Sequence, residues 1–217
     1  MTTTARLRHN RITLTLHTCR AGTGRPLLLL HGLGERAPRA VPDWASTWAG
    51  PVTALDFTGH GDSDLPTGGG YTCEVLIGDV DAALAHLGPA TLVGRGLGAY
   101  VALLAAGGRP ALVRGAVLCD GPGLAGGGTG PTSAAVVVPP AIGHRPDGWA
   151  LVELATDVRP PDYATSFARL ATQFSGLAQP LAVCATWRPP WLEAVADEPG
   201  VLDTTIDDAL LRFAAVQ

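Results

Sequence analysis

The sequence contains no lysine; all 15 of its basic residues are arginine. That excludes a Schiff-base amine, a pyridoxal-phosphate anchor and a Walker-A lysine. Cysteine is sparse. Cys19, Cys73, Cys119 and Cys184 stand far apart and make no C-x-x-C pair, which argues against a zinc knuckle and leaves them to be read as small hydrophobes. No apolar run approaches the ~20 residues needed to cross a bilayer. Met1 to Asn10 is polar, without the apolar centre of a signal peptide, so a cytoplasmic protein is expected. An excess of positive charge is missing too. Fifteen basic against 19 acidic residues leave a net charge of −4, which argues against a nucleic-acid partner.

What is present is a chain of 217 residues, 47% of them apolar and 16% charged. That composition excludes a disordered tail, and the length suits a single domain able to bury roughly 70% of its unfolded surface. Arg11 to Thr18 alternates with period two, the mark of a half-buried strand. Pro26–Leu30 is a short apolar run of the kind covered on both faces, and Pro51 to Phe57 reads as a third strand. Cys73 to Leu87 carries apolar residues at helical spacing and ends at Gly88-Pro89. Ala90 to Val93 reads as a strand, Leu97 to Ala106 as a helix, and Gly115 to Cys119 as the next strand. This alternation predicts a parallel α/β sheet. From Gly121 to Pro140 glycine, proline and small residues dominate, a long loop or excursion over the sheet. Helices are expected over Gly148 to Thr156, Asp162 to Phe174, Trp191 to Asp197 and Asp207 to Val216, with a late strand at Leu181 to Ala185.

Three motifs follow three successive strands: His31-Gly-Leu-Gly34, Asp56-Phe-Thr-Gly-His60-Gly-Asp-Ser63 and Gly94-Arg-Gly-Leu-Gly98. Together, in this order, they resemble the α/β-hydrolase superfamily, whose members carry H-G-x-G, then D-x-x-G-H-G-x-S, then G-x-S-x-G. The resemblance is closest between Leu27 and Asp120 and thins after Gly121. It implies one α/β-hydrolase domain over 1–217, mostly parallel, with helices on both faces and a short cap at about 121–179. The chain is small for that family, and the saving is expected in the cap and around the last strand.

The resemblance also implies a serine on the tight turn of the third motif. Here Gly94 and Gly98 fill the supporting positions, and the nucleophile position is Gly96, which offers no hydroxyl or thiol. The family's acid, expected after the late strand, has no counterpart in Pro180 to Pro189; Asp120, one strand earlier, is the possible relic. The family's histidine is missing as well. None occurs between Trp187 and Gln217, and Thr204 or Thr205 falls near the expected place. A serine and a histidine act as a unit, so the loss of both leaves at most roughly 10³- to 10⁴-fold catalysis from backbone donors and binding.

The expectation is therefore a degenerate triad and a non-catalytic binder of a small apolar or acyl/carboxylate ligand. By resemblance the oxyanion donors are the backbone N–H groups of Leu33 and Leu97, at the positive end of the helix starting there. Loss of the nucleophile side chain is expected to open space beside them. The expected ligand-binding set is His31, Gly32, Leu33, Arg95, Gly96 and Leu97, with neither metal nor cofactor. The expected partner is a small molecule, with a homo-oligomer or an intact relative as a further possibility and no membrane.

Other readings stay open. An active hydrolase or lyase would use Asp120, His31 or a bound water for acid–base work. Ser63 or Cys119 would be displaced nucleophiles, the latter needing His31, His60 or His144 beside it. Trp149, Trp187 and Trp191 would line a pocket lid. Gly94-x-Gly96-x-x-Ala99, with Asp120 ending the next strand, also fits the dinucleotide-binding fingerprint of an oxidoreductase.

Overall fold

The computed structural model describes residues 3–131 and 144–215. Strands β1 (Thr3–His9), β2 (Ile12–Arg20), β3 (Leu27–Leu30), β4 (Val52–Asp56), β5 (Ala90–Arg95), β6 (Val113–Cys119), β7 (Leu181–Val183) and β8 (Val201–Asp203) form one sheet. Their order is β1-β2-β4-β3-β5-β6-β7-β8, antiparallel at the β1/β2 and β2/β4 pairings and parallel elsewhere. The helices are α1 (Cys73–Leu87), α2 (Leu97–Gly108), α3 (Gly148–Thr156), α4 (Pro161–Phe174), α5 (Pro190–Ala196) and α6 (Ile206–Ala214).

The four leucines of β3 show why a short apolar run serves a central strand. Leu28 and Leu30 point into a core shared with α1, α2, α4 and α5, while Leu27 and Leu29 point into the opposite one, closed by Phe213 of α6 and by Trp48. All four are buried. The central helix α2 has every residue from Leu97 to Gly107 buried, as expected of a helix apolar all round.

Three features depart from the sequence expectation. Thr3–His9 is a strand, although its polar face gives little alternation to read; it pairs with β2 from Thr3↔Thr18 to His9↔Ile12. The short β8 lies at the other edge, beside β7. The parallel crossover between β3 and β4 carries only one 3₁₀ turn, Asp43–Ala45, where such connections usually hold a helix. The second face is thus covered by α6 and the Ala37–Trp48 segment, so part of the chain's economy lies there. Within 121–179, α4 packs its small face (Ala164, Ala168, Ala171) into the main core as the crossover helix between β6 and β7. Residues 132–140 of the predicted excursion lie outside the described residues.

Candidate functional site

The carboxyl ends of β3, β4, β5 and β6 converge, where open parallel sheets carry their sites. At the end of β5 the chain turns into α2 through Gly96, with φ 57° and ψ −117°. A side chain is strained at that φ, and the sharp turn is the one that would present a nucleophile. Gly94 and Gly98 let strand and helix touch: a Cβ at 94 would fall 2.1 Å from the Gly98 carbonyl oxygen, and one at 98 would fall 2.5 Å from that of Leu30. The elbow is formed in full around a residue that carries no reactive group.

The two backbone donors expected to receive a substrate oxygen are already occupied. The N–H groups of Leu33 and Leu97 both donate to the carbonyl oxygen of Pro122, each at 2.9 Å. Three glycines make room for this plug. A Cβ on Gly96 would stand 2.6 Å from the Gly121 carbonyl carbon; one on Gly121 would stand 2.8 Å from the Gly96 nitrogen; one on Gly32 would stand 2.9 Å from Pro122 Cδ. The open space expected beside Gly96 is therefore filled by the chain's own backbone. The plug is held from behind by buried Arg159, whose Nη1 donates to the carbonyls of Gly123 and Leu124, and by Trp191 Nε1, which donates to Leu124 O at 2.8 Å.

The remaining polar residues of the motifs are bound to backbone. His31 Nδ1–H donates to Gly32 O at 2.8 Å and its Nε2 accepts from Phe57 N–H at 3.2 Å. His60 Nδ1–H donates to Thr58 O at 3.1 Å and its Nε2 accepts from Gly34 N–H at 3.3 Å. Both rings are buried; burial pushes His31 down, and burial reinforced by His31 pushes His60 down to about 4. Ser63 Oγ donates to Asp56 O at 2.6 Å and accepts from Thr15 N–H. These residues brace loops.

Asp120 does not meet His31. Their strands β3 and β6 stand on either side of β5, two inter-strand spacings or roughly 10 Å apart. Its carboxylate accepts from Thr186 N–H at 2.7 Å and Trp187 N–H at 3.3 Å, anchoring the loop after β7. The structure thus does not bring the two together, and each is engaged with backbone: His31 with Gly32 and Phe57, Asp120 with Thr186 and Trp187. Cys119 has Cys184 beside it rather than a histidine. The dinucleotide reading meets the same obstacle, since the α2 N-terminus that would take a pyrophosphate is capped by the Pro122 carbonyl. Trp191 is core, edge-on to Tyr100 at 4.9 Å, and Trp149 and Trp187 are exposed.

A cavity of about 660 Å³ opens beside the plug at the ends of β3 and β5. Leu29, Leu30, Val93 and Trp44 supply apolar wall, while Arg36, Arg95 and Arg145 supply positive charge. Of the expected ligand set, His31 and Arg95 line this cavity, whereas Gly96 and Leu97 lie buried beneath Pro122. Arg95 holds Glu35 with both Nε and Nη2, at 3.0 and 2.9 Å, so its charge is largely matched. Arg36 and Arg145 are exposed at the rim. A nearby group, His17, Asp56 and Asp62, has the donor atoms of a metal site within 4.8 Å of one another. The Arg39 guanidinium stands there as the cation, with Nη1 on His17 Nδ1 and Nη2 on Asp62 at 2.9 Å.

Sequence reasoning missed the Pro122 plug and its Arg159 clamp. The available signal was the pairing of Gly96 with Gly121-Pro122-Gly123, residues small enough to let two backbones meet.

Against known proteins, the family model described as the alpha/beta hydrolase family matches residues 27–215. No curated protein matches the sequence. Among solved structures, the N-formylmaleamic acid deformylase of Pseudomonas putida S16 is similar over 94% of this chain and 91% of its own, with 15% identity and a TM-score of 0.62. A bacterial membrane phospholipase A is similar over 94% and 79%, with 17% identity and a TM-score of 0.55. An epoxide hydrolase from Vigna radiata is 26% identical over 54% of this chain, a match that spans only 38% of that enzyme, with a TM-score of 0.45. The eight-stranded sheet, the three loop motifs at its strand ends and the match across 27–215 lead to one conclusion: the chain belongs to the α/β-hydrolase family.

Proposed function

We propose that this chain is a member of the family that binds a small organic acid without serine-hydrolase turnover. The observation that carries the reading is the double hydrogen bond from Leu33 and Leu97 to the Pro122 carbonyl. Acyl transfer needs those donors free for the oxyanion, and it needs a nucleophile where Gly96 presents only hydrogen. The absence of histidine beyond Trp187 removes the base as well.

Binding moves to the cavity beside the plug. Its apolar wall suits a hydrocarbon or aryl body, and the exposed guanidiniums of Arg36 and Arg145 suit a carboxylate at the rim. Trp44 in the wall reports on occupancy. Tryptophan fluorescence titrated with short-chain and aryl carboxylates is expected to saturate at millimolar concentration or below. The response is expected to weaken in Arg145→Ala and Arg36→Ala and to vanish for the methyl esters. p-Nitrophenyl acetate is expected to turn over at the buffer rate, and a fluorophosphonate probe to leave the chain unlabelled. Labelling, or turnover above buffer, overturns the non-catalytic half of the reading; carboxylates that leave the fluorescence unchanged overturn the binding half.

A further inference from the structure

At the far side of the strand ends, β6 and β7 finish in a pair of cysteines. The register Leu118↔Val183 continues by one residue to set Cys119 against Cys184, and Cys184 N–H donates to Leu118 O at 2.9 Å. Neighbouring strands run roughly 4.8 Å apart, inside the span of about 4.4–6.8 Å that a disulfide bridges between Cα atoms. Both side chains leave the same face of the sheet, for both pack against the core that holds Val117, Ala182 and Phe213. The Cys184 thiol is the neighbour that acts most strongly on that of Cys119. They are half-buried, and both line a crevice of about 550 Å³ whose opposite wall is Asp203, Thr204 and Thr205. Cys19 and Cys73 lie elsewhere, Cys19 on β2 and Cys73 buried at the start of α1.

We propose that Cys119 and Cys184 are a redox-active pair, oxidised by hydrogen peroxide entering the crevice to a disulfide that staples the end of β6 to the end of β7. In the first step one thiol sulfur attacks the peroxide, the O–O bond breaks, and a sulfenic acid and one water form. In the second, the other thiol sulfur attacks the sulfenic sulfur, the S–S bond forms, the S–O bond breaks and a second water leaves. Two thiols lose two electrons and two protons, and one peroxide becomes two waters. The Cys184 contact, and then burial, push the Cys119 thiol up, which disfavours its own attack on the peroxide and leaves Cys184 to be oxidised first; Cys119, held beside it, then closes the disulfide by proximity. The staple would also tighten the Thr186–Trp187 loop, already tied to Asp120 beside Cys119. This proposal is independent of the function proposed above.

The test is mild hydrogen peroxide on the full chain, followed by alkylation under denaturing conditions and a non-reducing digest read by mass spectrometry. Expected is a cross-linked Cys119–Cys184 peptide pair about 2 Da lighter than the two thiol peptides together, reversed by dithiothreitol. Cys119→Ser is expected to trap a dimedone adduct on Cys184 and to form no cross-link. Full alkylation of both cysteines after peroxide overturns the proposal, as does cross-linking only between chains or to Cys19 or Cys73. The wild-type digest decides the matter even if the serine variant fails to fold.

Discussion

A Cβ atom on Gly96 would stand 2.1 Å from the carbonyl oxygen of Pro122. No folded chain tolerates such a contact, so the side chain that the elbow is shaped to present and the backbone plug now resting on it are mutually exclusive. The elbow keeps its left-handed φ of 57° and its donors keep their aim. Pro122 O takes the place in the donor pair that a substrate oxygen would occupy in an active relative.

The first prediction follows from that contact. Gly96→Ala has to displace the 121–122 backbone and to hold alanine in a left-handed conformation, together costing about 2–5 kcal/mol. Thermal unfolding of a domain this size is expected to fall by roughly 5–15 °C. Gly96→Ser is expected to show the same loss and, on the function proposed above, no p-nitrophenyl acetate turnover. An unchanged melting temperature for both variants would remove the plug from the structure.

Arg159 is buried and spans the plug to the core. It donates to the carbonyls of Gly123 and Leu124, and its guanidinium lies 4.7 Å from the Tyr100 ring centroid. Arg159→Met keeps the stem and removes the donors, taking its partner from the Gly123 carbonyl and leaving that of Leu124 to Trp191 Nε1 alone, at about 1–3 kcal/mol. Amide exchange read by mass spectrometry is expected to quicken in peptides containing 121–128, with the α1 peptides unchanged.

Two histidines give opposite pH dependences. His60 is held near 4 in the fold by burial, against about 6.5 unfolded, so its neutral form stabilises the fold above 6.5. That contribution, of order 3 kcal/mol, is lost as pH falls from about 6.5 to about 4, and His31 acts in the same direction. His9 is raised, chiefly by its 2.8 Å hydrogen bond to buried Asp79. Its contribution is full below pH 6.5 and is lost as pH climbs through the raised value. Urea midpoints measured from pH 4 to 8 are expected to rise steeply on the acid side. His60→Gln is expected to flatten that limb, and His9→Gln to remove a decline on the neutral side.

Asp56 organises the second motif. Its carboxylate, fully buried, accepts from Ala37 N–H at 2.7 Å and Asp62 N–H at 2.9 Å, and meets His17 Nε2 at 2.8 Å. Gly61, with φ 51°, is required beside it, for a Cβ there would lie 2.1 Å from the carboxyl group. Asp56→Ala removes the partner of three groups, two of them, Ala37 N–H and His17, buried, and is expected to cost roughly 3–5 kcal/mol, measured by chemical denaturation.

The letters of the chain were enough for its class. Alternating apolar segments announced the parallel sheet, three motifs announced the strand-end loops, and the missing hydroxyl at Gly96 and missing imidazole beyond Trp187 are visible without coordinates because side chains are what letters encode. The edge strands Thr3–His9 and Val201–Asp203 were not legible: one is largely polar, the other three residues long, and each is defined by its partner rather than by its own pattern. The plug was hidden for a deeper reason. Every residue carries the same carbonyl and every non-proline the same N–H, so no letter marks which carbonyl will meet Leu33 and Leu97. That pairing exists only once β3, β5 and β6 lie side by side and Arg159 has drawn the loop behind Pro122 into place.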